Sequence, residues 1–253
     1  MNLRHTALLI STCLLTACGG DSQAPRTVAV AAPESSPPAI DPCTPGAGER
    51  LLHIPSPDWR DQVVYMIFTD RFHDGDPSNN DRGKGEFDPE SPQHFNGGDF
   101  QGMIDRIPYL QELGVTAVWQ TPPVLNQWWS TPYPAAGWHG YWAVNFKEVD
   151  PHFGTLDSYK ELSHQLHCNG MYLIQDIVAN HVGNFYGWSG PFNPDDRSEN
   201  FYLIEEGLTE QVAPTQVPFD KIDIRDPEHR EIDAYHWMPE VTDYSDPYQM
   251  NYH

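Results

Sequence analysis

The sequence predicts an α/β fold with a parallel sheet, and three observations carry that prediction. Three apolar runs, at 62–69, 115–119 and 171–182, have the continuity of strands buried on both faces. The stretches between them keep helical spacing instead. Strand, helix, strand, helix, strand with two crossovers is the order that builds parallel sheets.

Each element has a local reason. Residues 62–69 (QVVYMIFT) form a strand that Asp70, Arg71 and Phe72 close. Asp99 stands where a side chain can cap a helix, and Met103, Ile107 and Leu110 fall on one face of it. Pro108 interrupts that face, so a kink or a restart is expected there, with Gly114 ending the helix. The second strand, 115–119, leads into a long aromatic loop reaching about residue 154. Thr155 caps a second helix carrying Leu156, Tyr159, Leu162 and Leu166, and Gly170 ends it. The third strand, 171–182, closes in the polar triplet Ala179, Asn180 and His181, where α/β folds place their chemistry. Asp176 interrupts its apolar part; buried without a partner, it would cost several kcal/mol, so a partner or a role is expected. Beyond residue 182 the period is lost, apart from a short strand expected around 201–203.

The chain has 253 residues, 36 acidic against 14 basic, for a formal charge of −22. That balance repels phosphate backbones and argues against a nucleic-acid partner. Residues 1–18 read as a signal peptide, with Arg4 ahead of an apolar run. The sequence Leu15-Thr16-Ala17-Cys18 is similar to the bacterial lipobox, which makes Cys18 the lipidation site. A lipid anchor then holds the chain at the cell envelope without a spanning helix. Residues 19–57, rich in Pro and Ala, read as a disordered tether, with order beginning near Asp58. Cys43 and Cys168 remain, either as a disulfide or as two free thiols.

From residue 59 onward the chain resembles the α-amylase family, glycoside hydrolase family thirteen, in four stretches. Residues 176–181 (DIVANH) resemble the family segment at the end of strand three, and 62–72 its first strand. Residues 97–102 (GGDFQG) resemble the entry to its first helix, and 139–142 (HGYW) its substrate-facing loop. The resemblance implies a (β/α)8 TIM barrel, of which 58–182 supply the first three strand–helix units, with 183–253 in an irregular inserted domain. It implies retaining action on α-glucosidic bonds of starch or maltodextrins. His139 and His181 then face the sugar from opposite sides, and Tyr141 lies beneath it. Asp176 orients neighbours beneath the catalytic centre, or is purely structural. The nucleophile and the acid/base follow strands four and five, so the catalytic carboxylates are expected beyond residue 253 and this chain reads as an inactive fragment. A non-catalytic glucan-binding lipoprotein and a glucanotransferase of the same family are the alternatives.

The resemblance also implies calcium. Asp74, Asp76, Asn79, Asn80, Gly97 and Asp99 offer hard oxygen donors without the EF-hand spacing. Asp99 is thus expected both as ligand and as helix cap. Asn180 resembles a ligand of a second calcium in the family.

Overall fold

The computed structural model describes residues 41–44, 46, 48–204, 213–239 and 245. The expected leader with Cys18, most of the tether and residues 246–253 lie outside the described residues. In chain order the elements are β1 (Val64–Ile67), α1 (Thr69–Phe72), α2 (Phe100–Asp105), α3 (Ile107–Glu112), β2 (Ala117–Gln120) and β3 (Val124–Asn126). After these come β4 (Ala143–Val149), α4 (Leu156–Cys168), β5 (Tyr172–Gln175), β6 (Tyr186–Trp188), β7 (Phe201–Leu203) and α5 (Pro227–Ile232). Among the described residues no helix is long and apolar enough to cross a membrane.

β1, β2 and β5 form a parallel sheet in that order, with Ile67, Gln120 and Gln175 level at its carboxyl end. This register makes the three strands open onto one end of the sheet, with Asp70 beyond β1, Thr121 beyond β2 and Asp176 beyond β5. The third strand is shorter than its apolar run. Its last ladder bond runs from the Asp176 N–H to the Gln120 carbonyl at 3.2 Å. Pro122 and Pro123 follow Thr121 in the neighbouring segment and offer no N–H, so the ladder loses its donors on that side beyond this point. Burial on both faces is also corrected. Val64, Met66 and Trp119 are exposed, because the helices cover the other face of the pleat.

That covered face is the main core. Ile67 and Val118 meet Phe100, Met103, Ile107 and Leu110 from one helix pair and Leu162 and Leu166 from α4. Asp99 caps α2 by accepting the Gly102 N–H, and Thr155 forms a capping box with Ser158 at α4. The break expected at Pro108 is real: α2 ends at Asp105 and α3 restarts at Ile107, with Pro108 in its first turn.

Two expectations about irregular segments fail. The aromatic loop contains an antiparallel pair, β3 with β4, disguised because β3 has three residues and its register shifts on both sides of Leu125. The described end of the tether is not free either. Cys43 and Cys168 form a disulfide. The Leu51 N–H donates to His164 Nδ1 at 2.9 Å, and His167 Nδ1 donates to the Leu51 carbonyl at 2.8 Å. Arg50 adds ion pairs to Asp157 and Glu161, so residues 50–52 strap onto α4. Between strap and helix lies a cavity of about 480 Å³ walled by Trp59, Tyr159, His167 and Tyr172 and reaching Gln175.

Candidate substrate site and oxygen-rich loop

The structure draws His139, Tyr141, Asp176 and His181 into one hydrogen-bonded group with Tyr141 at its centre. The Tyr141 hydroxyl donates to Asp176 Oδ2 at 2.8 Å, which supplies the partner that this carboxylate needed. The Tyr141 N–H donates to His139 Nδ1 at 3.0 Å. His181 Nε2 donates to the Tyr141 carbonyl at 2.9 Å. Burial raises the Tyr141 phenol to about 12, with Asp176 adding to it, so the hydroxyl remains a donor.

These contacts fix what each imidazole offers. Burial, with Arg71 and His181 nearby, lowers His139 to about 4, so the ring is neutral. Its Nδ1 is an acceptor, hence the proton sits on Nε2. His181 has the opposite arrangement: its Nε2 donates to the Tyr141 carbonyl, so Nδ1 is the ring nitrogen outside this contact. One histidine therefore meets Tyr141 through Nδ1 and the other through Nε2.

The backbone beneath is tightly tied. Asn126 Oδ1 accepts the Trp142 N–H at 2.8 Å, and Asp150 Oδ2 accepts the Asn126 N–H at 2.9 Å. The buried Gln127 amide bonds Asn184 in both directions, which fixes the segment just past His181. Of the aromatic supply, Trp128, Trp129 and Trp138 pack against the main core. Phe185 is buried, and Tyr186 and Trp188 pack on Phe201. They are scaffold. Tyr133 and Trp142 face each other at 6.5 Å, with Trp142 edge-on to His139.

The oxygen-rich loop is a separate construction. Asp74 Oδ1, Asn79 Oδ1 and Asn80 Oδ1 are buried with no hydrogen-bond partner. Leaving three acceptors unpaired costs free energy unless a cation meets them. Their other atoms are engaged: Asn80 Nδ2 donates to Asp74 Oδ2 at 2.6 Å and Asn79 Nδ2 to Asp99 Oδ2 at 3.2 Å. Gly97 presses on the Asn80 amide with φ +94°, and a Cβ there would lie 2.8 Å from it. Two of the expected side chains also make contacts within the loop. Asp76 is exposed, and its Oδ1 accepts the Ser78 N–H and hydroxyl. Asp99 accepts from Gly75, Asp76, Asn79 and Gly102, which makes it the organiser of the loop and the cap of α2. Burial still pushes its carboxyl above the usual carboxylate value. Among the described residues no three His, Cys, Asp or Glu side chains converge on a metal position. A carboxylate with amide oxygens is a donor set for a hard cation such as calcium, not for zinc. Asn180 stands apart, exposed on the loop that leads to His181.

Sequence reasoning missed two features. Asp70 is buried at the end of β1, accepts the Asn96 and Gly97 N–H groups, and is raised by burial to about 6. His152 is enclosed by Asp150 at 2.8 Å and Glu86 at 3.2 Å, with its ring stacked on Phe95 at 3.8 Å. Neither has a sequence signal beyond a polar residue beside an apolar run.

A polar group at the carboxyl end of a parallel strand–helix sheet, rimmed by aromatic loops, is the arrangement of an α/β protein with its polar loops gathered at one end. A sequence model of the alpha amylase catalytic domain matches residues 66–231, and the chain belongs to that family. It is similar to the cyclomaltodextrin glucanotransferase of Klebsiella oxytoca, 34% identical over 78% of this chain and 27% of that protein. Neopullulanase 2 of Thermoactinomyces vulgaris is 32% identical over 74% of this chain and 34% of its own length. Among solved structures, the γ-cyclodextrin glucanotransferase of Bacillus clarkii is 40% identical over 49% of this chain and 19% of its own, with a TM-score of 0.47. The chain thus spans about a quarter to a third of the two curated relatives. The family's catalytic domain is a TIM barrel, and the described parallel sheet with its helices is consistent with part of one.

Proposed function

We propose that this chain supplies the sugar-holding face of an enzyme acting on α-glucosidic bonds of starch or maltodextrins. The Tyr141-centred group carries the reading. It joins two histidines held through opposite ring nitrogens, an aromatic ring and a carboxylate at the carboxyl end of the sheet. His139 Nε2–H donates to one sugar hydroxyl, His181 Nδ1 meets another, and the Tyr141 ring packs on the apolar sugar face. Asp176 holds the Tyr141 hydroxyl in place. Similarity to hydrolases and to glucanotransferases supports both hydrolysis and transfer within the same substrate class.

Calcium belongs to the same reading. Asp74, Asn79 and Asn80 would hold it with the Gly97 carbonyl, supported by Asp99. The ion would stiffen the loop preceding α2. We further place the protein at the bacterial cell envelope, anchored through lipid on Cys18; the lipobox-like sequence supports this. Globomycin treatment of an expressing bacterium tests the anchor: a precursor that retains residues 1–18 supports it, and unchanged processing refutes it. Calorimetric titration with maltoheptaose tests the substrate class. Binding that Tyr141→Ala weakens at least tenfold supports it, and equal binding by both chains refutes it.

A further inference from the structure

We propose that Arg71 is a positioning residue that sets the His139 ring and, through Asp70, joins the oxygen-rich loop to the sugar site. The inference rests on the sugar-site reading above. Arg71 leaves the sheet at α1, directly after β1, and its guanidinium meets three separate segments. Its Cζ lies 3.7 Å from the centroid of the Trp138 ring. Its Nη2 donates to the His94 carbonyl at 2.8 Å and the Pro92 carbonyl at 3.1 Å. Its Nε lies 3.0 Å from Asp70 Oδ2. That last contact is an ion pair without a directed hydrogen bond, since Nε has no hydrogen-bond partner.

The chain of contacts continues on both sides. Trp138 is held between Arg71 and Phe68, whose ring is 6.0 Å away, and stands edge-on to His139 at 5.5 Å. His139 in turn stacks on Tyr141 at 5.8 Å. On the other side, Asp70 accepts the N–H groups of Asn96 and Gly97, and Gly97 presses on Asn80 in the oxygen-rich loop. Fixing the plane of Trp138 fixes the wall against which His139 rests. The same positive charge opposes protonation of His139, keeping Nδ1 free to accept the Tyr141 N–H. Lysine cannot replace these functions together: it has no planar face to stack on Trp138 while a separate nitrogen, Nη2, reaches the Pro92 and His94 carbonyls.

The test compares Arg71→Lys and Arg71→Gln with the parent chain. Three measurements are needed: thermal melting, calorimetric titration with maltotetraose, and an NMR pH titration of the histidine rings. Both variants are expected to bind maltotetraose about 3- to 30-fold more weakly, the span set by a lost cation–π contact and a lost hydrogen bond. In Arg71→Gln the His139 ring is expected to titrate at higher pH than in the parent. Binding within twofold of the parent in both variants, or an unmoved His139 titration in Arg71→Gln, overturns the proposal. A parent chain that binds no maltotetraose defeats the sugar-site reading alone, and the His139 titration still decides the role of Arg71. If Arg71→Gln does not fold, Arg71→Lys, which keeps the charge beside Asp70, decides it through binding.

Discussion

Replacing Asp74 by alanine removes the one carboxylate among the three buried, unpartnered oxygens of the oxygen-rich loop. The effect has two parts of opposite sign. Without calcium, the substitution relieves a buried oxygen of its desolvation, while Asn80 Nδ2 loses the acceptor it holds at 2.6 Å. These offset, and melting of the metal-free chain is expected to change by less than ~1 kcal/mol. With calcium at a hundred times its dissociation constant, the parent gains ~2.7 kcal/mol from binding to the folded state alone. For a domain of this size that is about 5–11 °C in melting temperature. Asp74→Ala loses the charged ligand, and the calcium increment is expected to vanish. Scanning calorimetry of parent and variant, each in chelator and in calcium, gives all four values. No increment in the parent, or an equal increment in the variant, refutes the assignment of these oxygens to a cation.

Three further outcomes are expected. Cys43→Ser opens a cross-link between residues 125 apart in sequence, which the chain-entropy relation values at up to ~5 kcal/mol; denaturant unfolding of parent and variant under non-reducing conditions measures it. Burial alone would lower His152, but Asp150 and Glu86 raise it to about 9, above an unfolded value of ~6.5. Its stabilisation is therefore complete below pH ~6.5 and lost as pH rises through about 9; melting temperature should decline across that window and His152→Gln should flatten the decline. Gly97→Ala places a Cβ 2.8 Å from the Asn80 amide at φ +94°, so calcium should bind more weakly by calorimetry, with the Asp74→Ala chain as the reference for no binding.

How much of this was legible in the sequence depends on whether the signal was local. Asp99, Thr155 and Pro108 act within one helical turn, and their roles as caps and break were readable from position alone. The parallel order of the three strands came from the two intervening helices. The end of β5 was not readable, because the ladder donors are lost at Pro122 and Pro123, just past the neighbouring strand and more than fifty residues earlier. The strap was hidden for a similar reason: Arg50 and Leu51 lie in a Pro-rich stretch, and their partners are side chains of α4. At the site, His139, Tyr141, Asp176 and His181 were named from motifs, but their grouping around Tyr141 needed the structure. Asp70 and Arg71 were read as the end of a strand, since nothing nearby shows that Asp70 is buried or that Arg71 meets Trp138.

The central proposal is that Tyr141 gathers two histidines, held through opposite ring nitrogens, to hold an α-glucan. NMR of the histidine ring signals during a maltotetraose titration tests it most directly, because each imidazole reports its own tautomer. Saturable shifts of His139 and His181 together are predicted, with His139 protonated on Nε2 and His181 on the nitrogen facing the Tyr141 carbonyl. Tyr141→Phe, which keeps the ring but frees Asp176 from its 2.8 Å bond, should weaken that response without abolishing it. Ring signals that stay fixed while maltotetraose saturates other parts of the chain would contradict the account.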